Sequence, residues 1–371
     1  MNSFSPEKII LWLAGSGLPA GKVMTLLQFF GQPEKILEAY LQKDPEFKNI
    51  LNEKQLISLY NSWQDDRLSH LEKIIKKHEI RVFSACDPEY PDKLTEIYDP
   101  PAFLFYQGDL AVMSRRLLAI VGSRRASYEG IRATEKIAEN LSLAGVGIIS
   151  GFAYGIDTAA HTGCLRGNSP TIAVVGCGLD VNYPAENSKL KNTVLEKGGL
   201  FLSEFIPGEK PLGAHFPIRN RIISGLSDAV ILMEGQLKSG SMTTINHAVD
   251  QNKDVFVYPG LPQSIMYSAN HRLLREGARY FTSAEDILED MGWLDNNENV
   301  RQNNVCSTAD ENMPPAERSV LQILQPGILS FDQIAEKTGL PAVELLSLLT
   351  MLQIRGNVEA LPGKKYCLKN K

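Results

Sequence analysis

The chain has 371 residues, of which 43% are hydrophobic and 22% charged, and this composition is typical of a globular protein with two or three domains. No apolar run reaches the roughly 18 residues of a membrane span and no signal-peptide pattern begins the chain, so we expect a cytoplasmic protein without membrane contact. The five scattered cysteines argue against a disulfide framework, and the net charge of −5 means that any binding of nucleic acid depends on a local basic cluster.

Residues 1–80 show helical spacing of apolar side chains and no strand pattern, which predicts a small helical domain. Within it, residues 16–31 have the outline of a helix-hairpin-helix, a module that can hold a DNA phosphate at a helix N-terminus. A plain or SAM-like helical bundle explains the same turn glycines, because such glycines are common in helical hairpins. The plain bundle is the favoured interpretation, and the other stays open.

Residues 81–112 are rich in proline and aromatic residues. This composition predicts a connector that packs as extended chain on the domain that follows it.

From residue 117 onward, short Val- and Ile-rich runs alternate with amphipathic segments. The predicted strands are 117–121, 146–149, 171–175, 200–203, 229–233, 254–258 and 279–282, and the predicted helices are 128–143, 157–165, 188–196, 218–226, 241–250 and 269–276. Continuous apolar strands separated by helices indicate a parallel sheet that is covered on both faces. We therefore expect an α/β domain over residues 81–294 with a doubly wound, Rossmann-like parallel sheet.

The last part of the chain divides into a polar stretch and a compact tail. Residues 295–313 are rich in asparagine and are predicted to be a linker. Residues 314–371 have the outline of a winged-helix-like domain, with three helices and a hairpin around Pro362-Gly363. The helix predicted over 342–353 carries almost no basic residues, so a small interaction domain is favoured slightly over a DNA-binding one.

Carboxyl ends of parallel strands meet at one edge of a doubly wound sheet, where ligands bind. The loops at these ends combine glycines, hydroxyls and arginines, which suit phosphates at helix N-termini, with an aromatic that suits an unstacked base. The candidate DNA-binding residues are Gly122, Ser123, Arg124, Arg125, Ser150, Gly151, Gly155, Phe216, Arg219, Asn220, Arg221, Lys238, Ser239, Gly240 and Ser241.

Motifs for catalysis are missing from the sequence. There is no GKS or GKT phosphate loop, no GxSxG and no HExxH, and the GxGxxG pattern that starts at Gly176 has Val181 in its third glycine position. His161 and His215 are expected to serve packing or hydrogen bonding, and Asp157 to cap a helix. We therefore predict no catalytic residue, no metal and no cofactor.

The motifs VGSRRAS, SGFAYGIDTAAH, TIAVVGCGLDVNYP, FPIRNRIISGLSD, KSGSMTT and VYPG occur in this order. Over about residues 90–290 they resemble the DprA/Smf family of bacterial DNA-processing proteins. The resemblance implies a homodimer that binds incoming single-stranded DNA, protects it and helps to load the RecA recombinase during natural transformation, without catalytic turnover. It places all of these candidate residues except Arg125 on the family's motifs. Residues 247–253 and 267–274 depart from the family pattern, and the second departure bears on the pocket edge and on dimer strength.

Three alternatives remain at this point. A nucleotide-processing enzyme on a related sheet would need a PGGxGT-like loop and a glutamate, which residues 259–262 do not provide. A dinucleotide oxidoreductase would need a complete GxGxxG and an acidic residue at the end of the second strand. A scaffold that has lost DNA binding is the third alternative, and the sequence leaves it open.

Overall fold

A computed structural model describes residues 6–64, 67–294, 314–324, 329–361 and 365–368. The chain forms two compact units, residues 1–294 and 295–371. In the described ranges, no helix is long and apolar enough to cross a membrane. The linker predicted over residues 295–313 lies outside the described residues.

The first unit begins with six short helices around a buried tryptophan. They are α1 (Pro6–Gly15), α2 (Ala20–Phe30), α3 (Pro33–Leu41), α4 (Glu46–Ile50), α5 (Glu53–Gln64) and α6 (Arg67–Lys77). The Trp12 indole donates a hydrogen bond to the Leu59 carbonyl at 3.0 Å, and its ring centroid lies 5.0 Å from that of Tyr40. Helices of this length are marginal in isolation, so their packing on one another and on the sheet stabilises them. The helix-hairpin-helix interpretation of residues 16–31 stays a prediction.

The segment predicted to be an extended connector is part of the central sheet. Strands β1 (Arg81–Ser84) and β2 (Phe103–Gly108) pair antiparallel with each other, and the short helix α7 (Asp92–Thr95) lies between them. The segment is extended over β1 and β2 as predicted, but it is part of the sheet and not a connector. The physical reason is visible in β2, where Phe105 packs with the N-terminal helices and Leu104 packs on the opposite face.

The remaining strands form the parallel part of a nine-stranded sheet. These are β3 (Leu117–Val121), β4 (Gly147–Ser150), β5 (Thr171–Val174), β6 (Leu200–Ser203), β7 (Ala229–Leu232), β8 (Asp254–Val257) and β9 (Arg279–Tyr280), in the order β1-β2-β6-β5-β4-β3-β7-β8-β9. The predicted doubly wound α/β fold is confirmed, and two antiparallel strands extend it. The strand order reverses at β3: strands β4 to β6 follow on one side of it and β7 to β9 on the other. This switch point opens a crevice at the carboxyl ends of the strands.

Helices cover both faces of this sheet. They are α8 (Tyr128–Leu143), α9 (Ile156–Cys164), α10 (Ser188–Glu196), α11 (His215–Leu226), α12 (Ser241–Asp250), α13 (Ser268–Arg275) and α14 (Ala284–Asp290). Ile120 packs in the layer of α8, α9 and α14, whereas Val121 packs in the layer of α11, α12 and α13. This alternation buries every side chain of β3 and fixes the loop that follows it.

The second unit has the predicted winged-helix architecture. It contains α15 (Pro315–Leu324), α16 (Phe331–Thr338) and α17 (Ala342–Ile354), with β10 (Leu329–Ser330), β11 (Val358–Leu361) and β12 (Lys365–Leu368) in a three-stranded antiparallel sheet. Ser330 and Gln333 form a capping box that starts α16. Helix α17 buries Leu345 and Leu349 and exposes Val343 and Leu346.

Candidate nucleic-acid interface

A cleft of about 710 Å³ opens at the switch point of the sheet, between the carboxyl ends of β3 and β7. One wall is formed by Gly122–Arg125 of the first loop (Gly122–Ser127), and the opposite wall is the start of α11. The floor near α12 is formed by Ser239, Gly240 and Ser241, which we call the serine loop. Candidate residues from three of the four loops that the sequence placed at this edge therefore meet at one opening.

The first loop is held by close contact with the second loop, Gly151–Gly155. Gly155 has a φ of +73°, and a Cβ atom there would lie 2.3 Å from the Ser123 carbonyl oxygen. Ile156 donates its backbone N–H to the same oxygen at 3.2 Å. A Cβ atom on Gly122 would lie 2.6 Å from the Ile156 side chain. Both glycines thus serve the packing of the two loops against each other.

The rim of the cleft carries an exposed cation on an aromatic ring. The guanidinium carbon of Arg124 lies 4.5 Å from the centroid of the Phe216 ring, which is a cation–π distance. Among the described residues, no carboxylate lies within 4.0 Å of Arg124. Arg125 is also exposed, and its backbone N–H donates to the Ser123 hydroxyl at 3.1 Å. Both arginines of the first loop are therefore available to an anionic ligand.

The FPIRNR motif lies inside α11, whereas the sequence predicted a helix that starts three residues later, at residue 218. Helix α11 begins at His215, and Pro217 is accommodated because the first turn of a helix leaves its N–H groups without intrahelical acceptors. Residues two positions apart on a helix face in nearly opposite directions. Arg219 and Arg221 consequently enter different environments.

Arg219 is buried at the base of the cleft, with only 3% of its surface exposed. Its Nη1 donates to the carbonyls of Gly151, at 2.7 Å, and of Val174, which end two neighbouring strands. Burial lowers its pKa to about 10, and burial also raises the pKa of the neighbouring Asp157 carboxyl, which the charge of Arg219 partly offsets. Asp157 accepts the Ala153 N–H at 3.2 Å, so the expectation that it caps a helix end is replaced by a buried role beside Arg219.

Arg221 does not line the cleft. Its guanidinium makes two hydrogen bonds of 2.8 Å to the Glu204 carboxylate, and its Nε donates to the Asp99 carbonyl at 2.7 Å. These contacts join α11 to the loop before β2. Arg221 is thus a structural residue in this unit, and its charge is already paired.

The other candidates divide into supporting and lining residues. Ser150 is a supporting residue: it is buried, and its hydroxyl donates to the Ile120 carbonyl at 2.6 Å.

Asn220 lines the cleft and donates to the Gly240 carbonyl at 3.3 Å, which connects α11 to the serine loop. Gly151 packs against the Arg219 guanidinium, and Lys238 is exposed outside the lining of the cleft. The lining hydroxyls of Ser239 and Ser241 lie 2.6 Å apart.

Both histidines near the cleft make packing contacts. His161 is fully buried, and its Nδ1 lies 2.8 Å from the Thr171 hydroxyl, which itself donates to the Ile148 carbonyl. The His161 Nδ1 therefore carries the proton, and burial lowers the pKa of this imidazole to about 3. The His215 ring stacks on Phe205 with centroids 4.0 Å apart.

Residues 81–292 match the protein family described as DNA recombination-mediator protein A, and residues 307–364 match the DprA winged helix domain. The chain belongs to the DprA/Smf family. It is 44% identical to DNA processing protein DprA of Streptococcus pneumoniae over 59% of this chain and 77% of that protein. It is 36% identical to Protein Smf of Escherichia coli over 74% of each chain.

Two solved structures of DprA proteins share this architecture. The structure of DprA from Streptococcus pneumoniae aligns with a TM-score of 0.67 and 36% identity, over 78% of this chain and 98% of that one. The second structure, of DprA from Helicobacter pylori, concerns that protein's single-stranded DNA binding mode. It aligns with a TM-score of 0.52 and 28% identity, over 57% of this chain and 95% of that one.

Two further residues, one that lines this cleft and one buried behind its first loop, were not predicted from the sequence. Tyr183 lines the cleft, and its ring centroid lies 5.6 Å from that of Phe216. Its place in the NYP sequence that follows β5 is a signal that could have identified it. Glu234, just after β7, accepts hydrogen bonds from Ser127 at the start of α8. Within the described ranges, no group of three His, Cys, Asp or Glu residues could hold a metal ion.

Proposed function

We propose that this chain is a recombination mediator that binds single-stranded DNA at the rim of the cleft. The observation that carries this proposal is the contact between Arg124 and Phe216. A guanidinium beside an aromatic ring offers neighbouring positions for a phosphate and for an unstacked base of one strand. A duplex keeps its bases stacked in its interior, so they cannot reach the ring, and single strands bind more tightly.

Family membership supports the same ligand class. The matching family is described as a recombination mediator, and the DprA of Helicobacter pylori, 28% identical, has a structure that concerns its single-stranded DNA binding mode. The exposed Arg124 and Arg125 supply a local positive charge that the net charge of −5 conceals.

The proposed mode of action is binding without chemical turnover. The polar groups nearest to the cleft floor already have structural partners: Arg219 holds two strand ends, and Asp157 is buried beside it. A nucleophile or general base needs a free polar atom that faces the ligand. The cleft therefore favours a binding module over a nucleotide-processing enzyme.

Homodimer formation, protection of the strand and RecA loading complete the proposal, and they rest on the family resemblance. Exposed apolar side chains offer a surface for a second copy; they include Tyr280 on the edge strand β9, and Leu261 and Ile265 in the segment after β8. Sedimentation equilibrium tests the dimer. Nuclease protection of a bound oligonucleotide, and RecA filament assembly on a strand covered by single-strand-binding protein, test the other two activities.

The decisive experiment is an anisotropy titration with single- and double-stranded oligonucleotides of equal length at two salt concentrations. We expect tighter binding of the single strand and a negative slope of log affinity against log salt. Equal affinity for both forms would contradict the proposed role of Phe216.

A further inference from the structure

Helix α8 directs its N-terminus toward the switch-point crevice. In doubly wound sheets, phosphate groups of nucleotides bind at this position, because the free N–H groups and the helix dipole favour an anion there. Helix α8 has 16 residues and begins after the N-cap Ser127. By its position alone, this helix end would suit a mononucleotide or dinucleotide phosphate.

A carboxylate of the chain already occupies this helix end. Glu234 is fully buried, and its Oε1 and Oε2 accept the Ser127 backbone N–H at 2.9 and 3.2 Å, while Oε2 also accepts the Ser127 hydroxyl. A Cβ atom on Gly130, in the first turn of α8, would lie 2.3 Å from Oε2. The carboxylate therefore lies directly against the helix backbone, and a larger residue at position 130 would displace it.

Hydrogen-bond donors at a helix N-terminus stabilise the Glu234 carboxylate, as they would stabilise a bound phosphate. In the described part of the chain, no Lys, Arg or His nitrogen lies within 4.0 Å of its carboxylate. The N–H and hydroxyl of Ser127, the hydroxyl of Tyr267 and the helix end stabilise it. Its backbone carbonyl also accepts the Ser123 N–H at 2.7 Å, so the same residue fixes the first loop.

We propose that Glu234 is a specificity-determining residue, a built-in anion that closes the phosphate site of α8 to free nucleotides. The inference rests on the proposed function, because it assigns the open part of the cleft to a nucleic-acid strand. A second anion at this helix end would overlap with the Glu234 side chain and would be repelled by its charge. The phosphates that remain admissible are those that reach the exposed Arg124 and Arg125 at the rim, as phosphodiesters of an extended strand do.

Inorganic pyrophosphate is the probe that tests this closure. Glu234→Ala removes the carboxylate, and we expect it to bind pyrophosphate at least tenfold more tightly than the wild-type chain in calorimetry. A Glu234→Ala/Arg124→Ala double variant should keep this gain, which separates the α8 site from the rim. Equal pyrophosphate affinity of the wild type and Glu234→Ala would overturn the proposal, as would loss of the gain in the double variant.

The outcome for DNA is measured separately on the same proteins. If the wild type fails to bind single strands while Glu234→Ala gains pyrophosphate, the proposed function fails and the role of Glu234 stands. If Glu234→Ala does not fold in chloride buffer, it is refolded with and without millimolar pyrophosphate. Recovery of folded protein in pyrophosphate alone supports the closure, and no recovery in either buffer overturns it.

Discussion

The guanidinium of Arg124 lies over the ring of Phe216, with 4.5 Å between its central carbon and the ring centroid. The two residues come from the loop after β3 and from the first turn of α11, which are 92 positions apart in the sequence (216 − 124). Their contact brings the charge and the aromatic surface of the cleft rim together.

Replacing Arg124 with alanine should weaken the binding of single strands about tenfold or more, because charge-assisted hydrogen bonds to phosphate are worth roughly 1.5–3 kcal/mol. The slope of log affinity against log salt should flatten by about 0.7, the contribution of one phosphate in a single strand. Arg166→Ala is the matched control, because Arg166 lies just after α9 and pairs with Glu135. This variant should leave the salt slope unchanged. A lower melting temperature with an unchanged slope in Arg124→Ala would remove Arg124 from the DNA site.

Replacing Phe216 with leucine should reduce the preference for single strands over duplex. Stacking of a base on an aromatic side chain is worth roughly 1–3 kcal/mol, so we expect a loss of about five- to 150-fold in single-strand affinity. Phe216→Trp should retain the affinity, because it keeps a ring. Tyr98→Leu is the control, since Tyr98 is a fully exposed aromatic outside the cleft lining. Unchanged binding by Phe216→Leu would contradict stacking.

Replacing Arg219 or Arg221 with methionine should destabilise the fold without changing the salt slope of DNA binding. Arg219→Met leaves Asp157 buried beside an apolar side chain, and Arg221→Met leaves Glu204 without its bidentate partner. Breaking the buried Arg221–Glu204 pair costs about 3–5 kcal/mol, and urea denaturation can measure the loss in both variants. Asp157→Asn should recover part of the loss in Arg219→Met. A folded variant whose salt slope flattens would show instead that the arginine contacts phosphate.

The buried His161 should make the fold sensitive to acid. Its pKa falls from 6.5 to about 3 on folding because burial disfavours the charged imidazole. The contribution of the neutral His161 to the free energy of unfolding is fully present above pH 6.5. It is lost as the pH falls toward 3, since only the unfolded state then binds the proton. The expected slope is about 1.4 kcal/mol per pH unit from this group. His161→Asn should show a shallower dependence of the unfolding free energy on pH, and identical slopes would contradict the assignment.

The fragment 1–294 should fold alone and keep the single-strand affinity of the whole chain. It contains the complete cleft, and α17 of the second unit has no lysine or arginine along its length. A melting curve and the anisotropy titration test the two statements. A folded fragment that no longer binds would place the second unit in the DNA site.

The parallel sheet could be predicted because its strands are continuous apolar runs, and the glycine loops could be located because they follow those strands. The start of α11 could not, since Pro217 suggests a break before the helix although proline is tolerated in a first turn. Arg221 was assigned to the ligand site because it shares the FPIRNR motif with Arg219, and its pairing with Glu204, 17 positions away, is not visible in the sequence. The strands β1 and β2 were missed because prolines separate them and their pairing depends on distant β6.

Glu234 had no local signal of any kind. A single glutamate after an apolar strand is ordinary surface chemistry in a sequence, and its partner Ser127 lies 107 positions away. Such a contact exists only once the switch point has brought β3 and β7 together. Glu234, which we propose as a specificity-determining residue, is thus less visible in the sequence than the motifs that surround it.

The close approach of Gly155 to the Ser123 carbonyl has a kinetic consequence. Because the two loops are held together before any ligand arrives, binding does not have to order them, and little conformational entropy is lost at the rim. If the chain binds single strands as we propose, diffusion and the charge of Arg124 and Arg125 set the association rate. Differences in affinity among strands of the same length and charge should then reside chiefly in the dissociation rate.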